Sequence, residues 1–251
     1  MKKIIIPIGI CASLILSSCD VLNDVAGVVI DGSETSGNTT PALTNSEVIS
    51  GLKEALNVGI KNSVNLTSVT DGFLANADIR LPFPADAIKA RDKALEWGLD
   101  GQVEKFETTL NRAAEEATKE ALPIFKNAIL GMSISDGFSI LNGGDGAATN
   151  FLKDKTSTEL MAAFAPKVKA AIAKVKLTDY WNPIVNKYNT FANLPLTDAK
   201  PVNPDLNEYV TERAIAGLFH MVELEENKIR KDPMARVSDI LQKVFGSLGG
   251  N

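Results

Sequence analysis

The stretch from Gly101 to Leu152, GQVEKFETTLNRAAEEATKEALPIFKNAILGMSISDGFSILNGGDGAATNFL, limits the possible folds more than any other part of the chain. At 100° per residue, Val103, Phe106, Leu110, Ala113, Ala114, Ala117 and Ala121 fall within one arc about 100° wide, with Arg112, Glu115 and Lys119 roughly opposite. An apolar stripe that narrows from Phe and Leu to Ala lets a second helix come close. Pro123 then interrupts the helix, because its ring clashes with the carbonyl of Lys119 and its nitrogen has no proton to donate. A second helix is expected from Pro123 to Leu130, and a third from Ser135 or Asp136 to about Asn142. Asn142-Gly143-Gly144-Asp145-Gly146 follows as a tight connection, with a glycine at C′ and Asp145 as the next N-cap.

The same punctuation divides the rest of the chain. Thr44-Asn45-Ser46-Glu47 reads as a capping box opening a helix to about Leu66. Val69 to Pro84 loses helical character, and Ile79 to Pro84 alternates as an extended arm; Pro82 argues against a central strand. A helix from Ala85 to Trp97 stops at Gly98, and Asp100 is placed to cap the next. Thr156-Ser157-Thr158-Glu159 reads as a second capping box, opening a helix to about Val175. Thr178 or Asp179 would cap Tyr180 to Asn189, and Phe191 to Asn203, with Pro195 and Pro201, reads as extended. Asn203-Pro204 is expected to begin a long helix to Arg230, and Asp232-Pro233 a last one ending at Gly246. This gives an all-α single domain of about nine helices over residues 44–246, with two extended Pro-containing connections and a tail at 247–251. The expected core includes Leu52, Leu56, Phe106, Leu110, Ala114, Phe125, Ile129, Leu141, Leu160, Phe164, Val185, Val210, Leu218 and Met221.

Residues 1–18 read as a lipoprotein signal peptide. Lys2 and Lys3 precede an apolar run, Ile4 to Leu16, too short to span a bilayer, and Leu16-Ser17-Ser18-Cys19 has the form of a lipobox. The Cys19 thiol is the nucleophile that would take the lipid. Cys11 would be lost with the signal, so the domain is expected to hold together without a disulfide. Residues 19–43 read as the lipidated cysteine and a flexible tether. The expected location is the cell envelope, lipid-anchored and facing the periplasm, with inner versus outer membrane left open; Asp20, directly after the cysteine, resembles the inner-membrane retention signal of enterobacterial lipoproteins. Removal of residues 1–18 leaves 24 basic and 31 acidic side chains, a formal charge of about −7. An acidic domain is a poor partner for nucleic acid, and the membrane link is expected through the lipid on Cys19.

Several segments together resemble one known family. They are Asn45 to Leu56 (NSEVISGLKEAL), Leu110 to Glu115 (LNRAAE), Ser135-Asp136-Gly137, Ile140 to Thr149 (ILNGGDGAAT), Asp205 to Thr211 (DLNEYVT) and Gly217-Leu218-Phe219. This pattern, over residues 44–246, resembles the bacterial lipoproteins of domain-of-unknown-function family 4197. The resemblance implies an envelope protein of Gram-negative bacteria and brings neither catalytic residues nor a ligand.

Several features invite chemical readings. His220 is the one histidine; pairing with Glu223 at a metal is conceivable, but there is no second histidine and no HExxH spacing, so a packed histidine is favoured and no metal is expected. Asn142, Gly143, Gly144 and Asp145 form a possible ligand or partner loop. It resembles a phosphate nest but lacks the Walker lysine and spacing and a preceding strand, so a plain turn is favoured. Trp181 and Tyr188, seven residues apart, with Tyr180, suit a core better than a sugar platform. Arg112–Glu116, Glu115–Lys119 and Glu226–Arg230 read as i,i+4 pairs of a solvated face. No cofactor is expected. The favoured function is a binding or structural module with an envelope protein partner. The alternatives are a carrier holding an apolar small molecule between helices and, less favoured, an enzyme using carboxylates.

Overall fold

The computed structural model describes residues 44–246; the lipobox, Cys19, the tether and the tail at 247–251 lie outside the described residues. Nine α-helices and no strand are found among the described residues: α1 (Asn45–Thr67), α2 (Ile88–Glu96), α3 (Asp100–Thr118), α4 (Leu122–Leu130), α5 (Ile134–Asn142), α6 (Ala147–Lys174), α7 (Leu177–Ala192), α8 (Asn207–Lys231) and α9 (Asp239–Gly246). Single 3₁₀ turns precede α2 and follow α8. The stripe on α3 is the centre of the fold: Val103, Phe106, Leu110, Ala113, Ala114 and Ala117 are all buried. α6, α7 and α8 pack around it, and α1 lies along α8 with α4, α5 and α9 against its other sides.

Most helix limits follow local chemistry. Thr44 caps α1 through a capping box, its Oγ1 accepting from Glu47 N–H at 3.2 Å while Glu47 accepts from the Thr44 N–H at 2.9 Å. Gly98, with φ +72°, ends α2 in a Schellman motif in which Leu99 N–H reaches Ala94 O at 2.9 Å and Gly98 N–H reaches Leu95 O at 2.9 Å. The chain re-enters a helix at once, so Leu99 is the N-cap of α3 and Asp100 lies in its first turn rather than capping it. Ala121 is buried as expected but lies beyond α3, which Pro123 forces to end at Thr118. The cap of α5 is Ser133, not Ser135 or Asp136; Ser133 and Asp136 bond reciprocally, with Asp in the position a capping box usually gives to Glu.

Other expectations are overturned. Thr156 and Ser157 sit inside α6 and open nothing; their hydroxyls donate to Leu152 O and Lys153 O, both at 2.6 Å, so the helix runs through them. α7 starts at Leu177 behind Lys176 in the left-handed region (φ +54°), which leaves Thr178 and Asp179 within its first turn. α8 starts at Asn207, not at Pro204. Two Asx turns occupy the intervening residues, with Asn203 Oδ1 accepting from Asp205 N–H and Asp205 Oδ1 from Asn207 N–H. The Pro204 carbonyl, which a helix would need, instead accepts from Trp181 Nε1 at 2.9 Å. Asp232-Pro233 opens one 3₁₀ turn, Pro233–Ala235, before α9. Of the expected core, Leu141 alone is only partly buried.

Candidate functional site

The Gly-rich loop is a helix–helix turn whose anion site is filled by the protein itself. Gly143 closes α5 with φ −79°, Gly144 takes φ +76°, and Gly146, not Asp145, is the N-cap of α6 with φ +73°. The exposed N–H groups of the α6 first turn meet the carboxylate of Glu226 from α8. It accepts from Ala148 N–H at 2.9 Å, Thr149 N–H at 2.8 Å and the Thr149 hydroxyl at 2.8 Å. Gly146 N–H donates to Asn227 Oδ1 at 3.1 Å. Arg230, one turn along α8, donates to Glu226 at 2.9 Å and to the last carbonyls of α5, Ile140 O at 2.8 Å and Leu141 O at 3.3 Å. The acid thus sits at the positive end of one helix dipole and the guanidinium at the negative end of another. Both side chains are buried, 7% and 8% exposed. Asp145, expected as a cap, pairs with Lys231 instead.

Glu115 repeats the arrangement on α3. Its carboxylate is 5% exposed and accepts from Phe73 N–H at 3.1 Å and Leu74 N–H at 3.3 Å. Arg112 binds its other oxygen at 2.7 Å and reaches Asp71 at 2.7 Å, and the bond to Glu115 first, then Asp71, holds the guanidinium pKa above its ordinary value. Asn111 clamps Leu81 from both sides, accepting from its N–H at 2.8 Å and donating to its carbonyl at 3.1 Å. This is how the arm of residues 68–84 is fastened over α3 and α8. Its Phe73, Ile79, Leu81 and Phe83 are buried, and Gly217 of α8 makes room, since a Cβ there would lie 2.7 Å from Phe73 Cε1. The reading of Glu115 and Glu226 as members of a solvated face is therefore wrong. Glu116, the next residue of α3, is half-buried and pairs with Lys119 and Lys174, which hold its pKa below the ordinary value.

The remaining candidates do not converge. His220 is half-buried on α8, far along the chain from the Gly-rich loop and not joined to it by any hydrogen bond described. Trp181 and Tyr188 are core residues, 0% and 2% exposed; Trp181 stacks on Phe106 with ring centroids 4.7 Å apart, and Tyr180 is partly buried. Among the described residues no group of three or more His, Cys, Asp or Glu side chains is placed to hold a metal. An apolar cavity under α9, lined by Leu52, Ala55, Leu56, Val222, Ile229 and Phe245, has about 20 Å³ of free space. That is room for one water, whereas a small-molecule pocket needs roughly 300–1,000 Å³.

A site outside the sequence expectations lies where the arm meets the start of α8. An open cleft of about 230 Å³ is lined by Pro84, Asp86, Trp181, Val202, Asn203, Asp205, Leu206, Glu208, Tyr209 and Glu212. The Asx turns and the first two turns of α8 bring Asp205, Glu208 and Glu212 to one side, and Asp86 faces them from the 3₁₀ turn before α2. All four are exposed, and none forms an ion pair within the described residues. Tyr209 donates its phenol to Pro82 O at 2.6 Å, fixing α8 to the arm, and burial pushes its pKa above the ordinary value. The spacing of Asp205, Glu208 and Glu212 at i, i+3 and i+7 was a readable signal of a one-sided acidic face. Asp86, which reaches it through the fold, was not readable.

A family model described as "Protein of unknown function (DUF4197)" matches residues 42–246, and the chain belongs to that family. No curated protein and no solved structure matches the chain.

Proposed function

We propose that this is a lipid-anchored envelope protein whose helical domain acts by binding a partner at its surface, through the acidic cleft between the arm and α8. The observation that carries this reading is the division of the carboxylates. Inside the domain the carboxylates of Glu115 and Glu226 are saturated by backbone and arginine donors and that of Glu225 is met by Asn62 and Lys228, while Asp86, Asp205, Glu208 and Glu212 stand around an open concavity with no ion pair among the described residues. Exposed like charges held on fixed helix positions select a partner by complementarity and speed its approach. The partner face therefore carries lysine or arginine. The small space under α9 argues against an apolar ligand between the helices.

The anchor part of the reading rests on Leu16-Ser17-Ser18-Cys19. No helix of the described residues is long and apolar enough to cross a membrane. Cys19→Ala should abolish incorporation of a palmitate analogue and leave an unprocessed precursor; continued labelling would contradict the anchor. For the cleft, a photo-crosslinking amino acid is placed at Glu212 of the full chain in cells, and a second chain carries it at the exposed Lys169 on α6. A discrete adduct from position 212 alone, lost on adding Asp205→Lys and Glu208→Lys, supports the reading. Adducts that survive charge reversal, or an apolar molecule copurifying at one per chain, would overturn it.

A further inference from the structure

The C-terminal helix α9 packs on α1. It is joined to α8 by residues 232–238, of which Asp232, Pro233, Met234 and Val237 are exposed, Met234 at 87% and Val237 at 70%. The segment is held mainly by Arg236, which donates to Ile229 O at 3.1 Å and Arg230 O at 2.9 Å. Ser238, just before α9, has its hydroxyl buried with no hydrogen-bond partner among the described residues, a poorly satisfied joint. The seat, by contrast, is closely shaped. Leu241, Val244 and Phe245 are buried, and Gly51 of α1 is required there, because a Cβ would lie 2.6 Å from Val244 Cγ2 and 3.1 Å from Ile240 Cγ1. Phe245 closes the apolar cavity and lies over the Arg230 guanidinium at 6.0 Å.

These observations separate a closely shaped seat from a solvent-exposed connection. Leaving the seat empty would expose Leu52, Ala55, Leu56, Val222 and Ile229 to water, so α9 is not expected to stay open for long. The segment of matching shape that can replace it is the same segment of another molecule. We propose that α9 is an exchangeable latch, and that its seat on α1 and α8 also accepts α9 from a second copy of this chain, giving a dimer with reciprocally swapped C-terminal helices. Seven connecting residues span up to about 25 Å when extended, enough for α9 to leave its own domain. Met234 and Val237, solvent-exposed in the closed form, then lie at the crossing point of the two chains, where burial against each other is favourable. A connection of seven residues gives the domain's own α9 an effective concentration on the order of millimolar, so the swapped form gains only when copies are crowded.

Equal amounts of light and ¹⁵N-labelled full chain in detergent are mixed at dilute and at about millimolar concentration, then coupled with a carboxyl-to-lysine crosslinker. α9 packs on α1 with Val244 and Ile240 against Gly51, which brings Lys243 of α9 to the side of α1 that carries Glu47 without an ion pair between them, so a crosslinker with a spacer joins the two and reports the seat, while Lys174–Glu116 reports contacts internal to α3 and α6. The expected result is Glu47–Lys243 pairs joining light and heavy chains, rising with concentration, while Lys174–Glu116 pairs stay within one isotope. Deleting Met234 to Val237 leaves too short a connection for folding back and should raise the dimer fraction roughly tenfold or more at one concentration. Single-isotope Glu47–Lys243 pairs at every concentration would overturn the proposal, and so would a folded, shortened chain that stays monomeric. Should the shortened chain fail to fold, the isotope mixture decides.

Discussion

The buried carboxylates Glu115 and Glu226 and the cleft carboxylates Asp86, Asp205, Glu208 and Glu212 are the same chemical groups in opposite circumstances. Each buried acid is met by two backbone N–H groups and an arginine of its own helix. Each cleft acid is open to water and has no ion pair among the described residues. A buried charge persists only where donors replace its lost hydration, so the first pair is committed to holding the fold. An exposed charge costs the fold little and remains available to a partner. The two buried sites also differ from one another. Glu226 and Arg230 are both closed to solvent, whereas Arg112 beside Glu115 is 26% exposed and shares Asp71.

The largest effect that would sharpen this contrast is expected from Glu226→Ala. It strips Arg230 of its counter-charge and leaves the α6 N-terminus unpaired in the interior, for a loss of about 3–5 kcal/mol in urea unfolding. A loss under about 1 kcal/mol would mean that water reaches this junction and that it is not a closed structural site. Glu115→Ala should cost less, about 2–3 kcal/mol, because Arg112 keeps Asp71 and part of its hydration. The loss should appear with faster amide exchange at Phe73 and Leu74. Gly144→Ala, at φ +76°, should cost about 1 kcal/mol. Gly143 is not in the left-handed region, but a Cβ there would lie 2.7 Å from Ala147 Cβ, so alanine is unwelcome for a different reason. Because Glu226 already occupies the α6 N-terminus, millimolar phosphate or nucleotide should leave the melting temperature unchanged; a rise of several degrees, on the order expected for ligand well above its Kd, would break the comparison at its buried end.

The pH dependence should be gentler. Glu47 and Asp136 are lowered by their bonds to Thr44 and Ser133, and Glu116 by Lys119 and Lys174, from ordinary values of 4.5, 3.8 and 4.5. An acid whose pKa is lower in the folded chain stabilises it above the ordinary value and loses that contribution as pH falls through the folded value. Melting temperature should therefore decline below about pH 4.5 and continue to fall past pH 3.8. Tyr209 has the opposite sign of shift, and its contribution should be lost as pH rises above its ordinary 10.0. A melting temperature flat between pH 5 and 3 would contradict the capping boxes as charged structures.

The fold was largely legible in the sequence because its main determinants are local. Thr44 with Glu47, Gly98 and Pro123 announce a start, a stop and a break, and the α3 stripe announces the core. Failures occurred where a distant residue supplied what a local one was expected to supply. Glu226 caps α6 from α8, so the helix begins at Ala147 and the Thr156 pattern is overrun. Trp181 takes the Pro204 carbonyl, so α8 begins three residues later. The spacing pairs Arg112 with Glu116 and Glu115 with Lys119 on a surface, whereas the arm laid across α3 draws Arg112 to Glu115 and leaves Glu116 to Lys119. The cleft was half legible, since α8 shows its acidic side in the spacing while Asp86 arrives only with the folded arm.

The central claim, that interior acids hold the fold while cleft acids serve recognition, is tested most directly by one chain carrying Asp86→Asn, Asp205→Asn and Glu208→Gln, measured for unfolding free energy and, with the photo-crosslinking amino acid at position 212, for the cleft adduct in cells. The account predicts stability within about 0.5 kcal/mol per position of the parent, apart from the Asp205 turn, together with loss of the adduct. An adduct that persists on the neutralised cleft, or a collapse of stability comparable to that of Glu226→Ala, would contradict it.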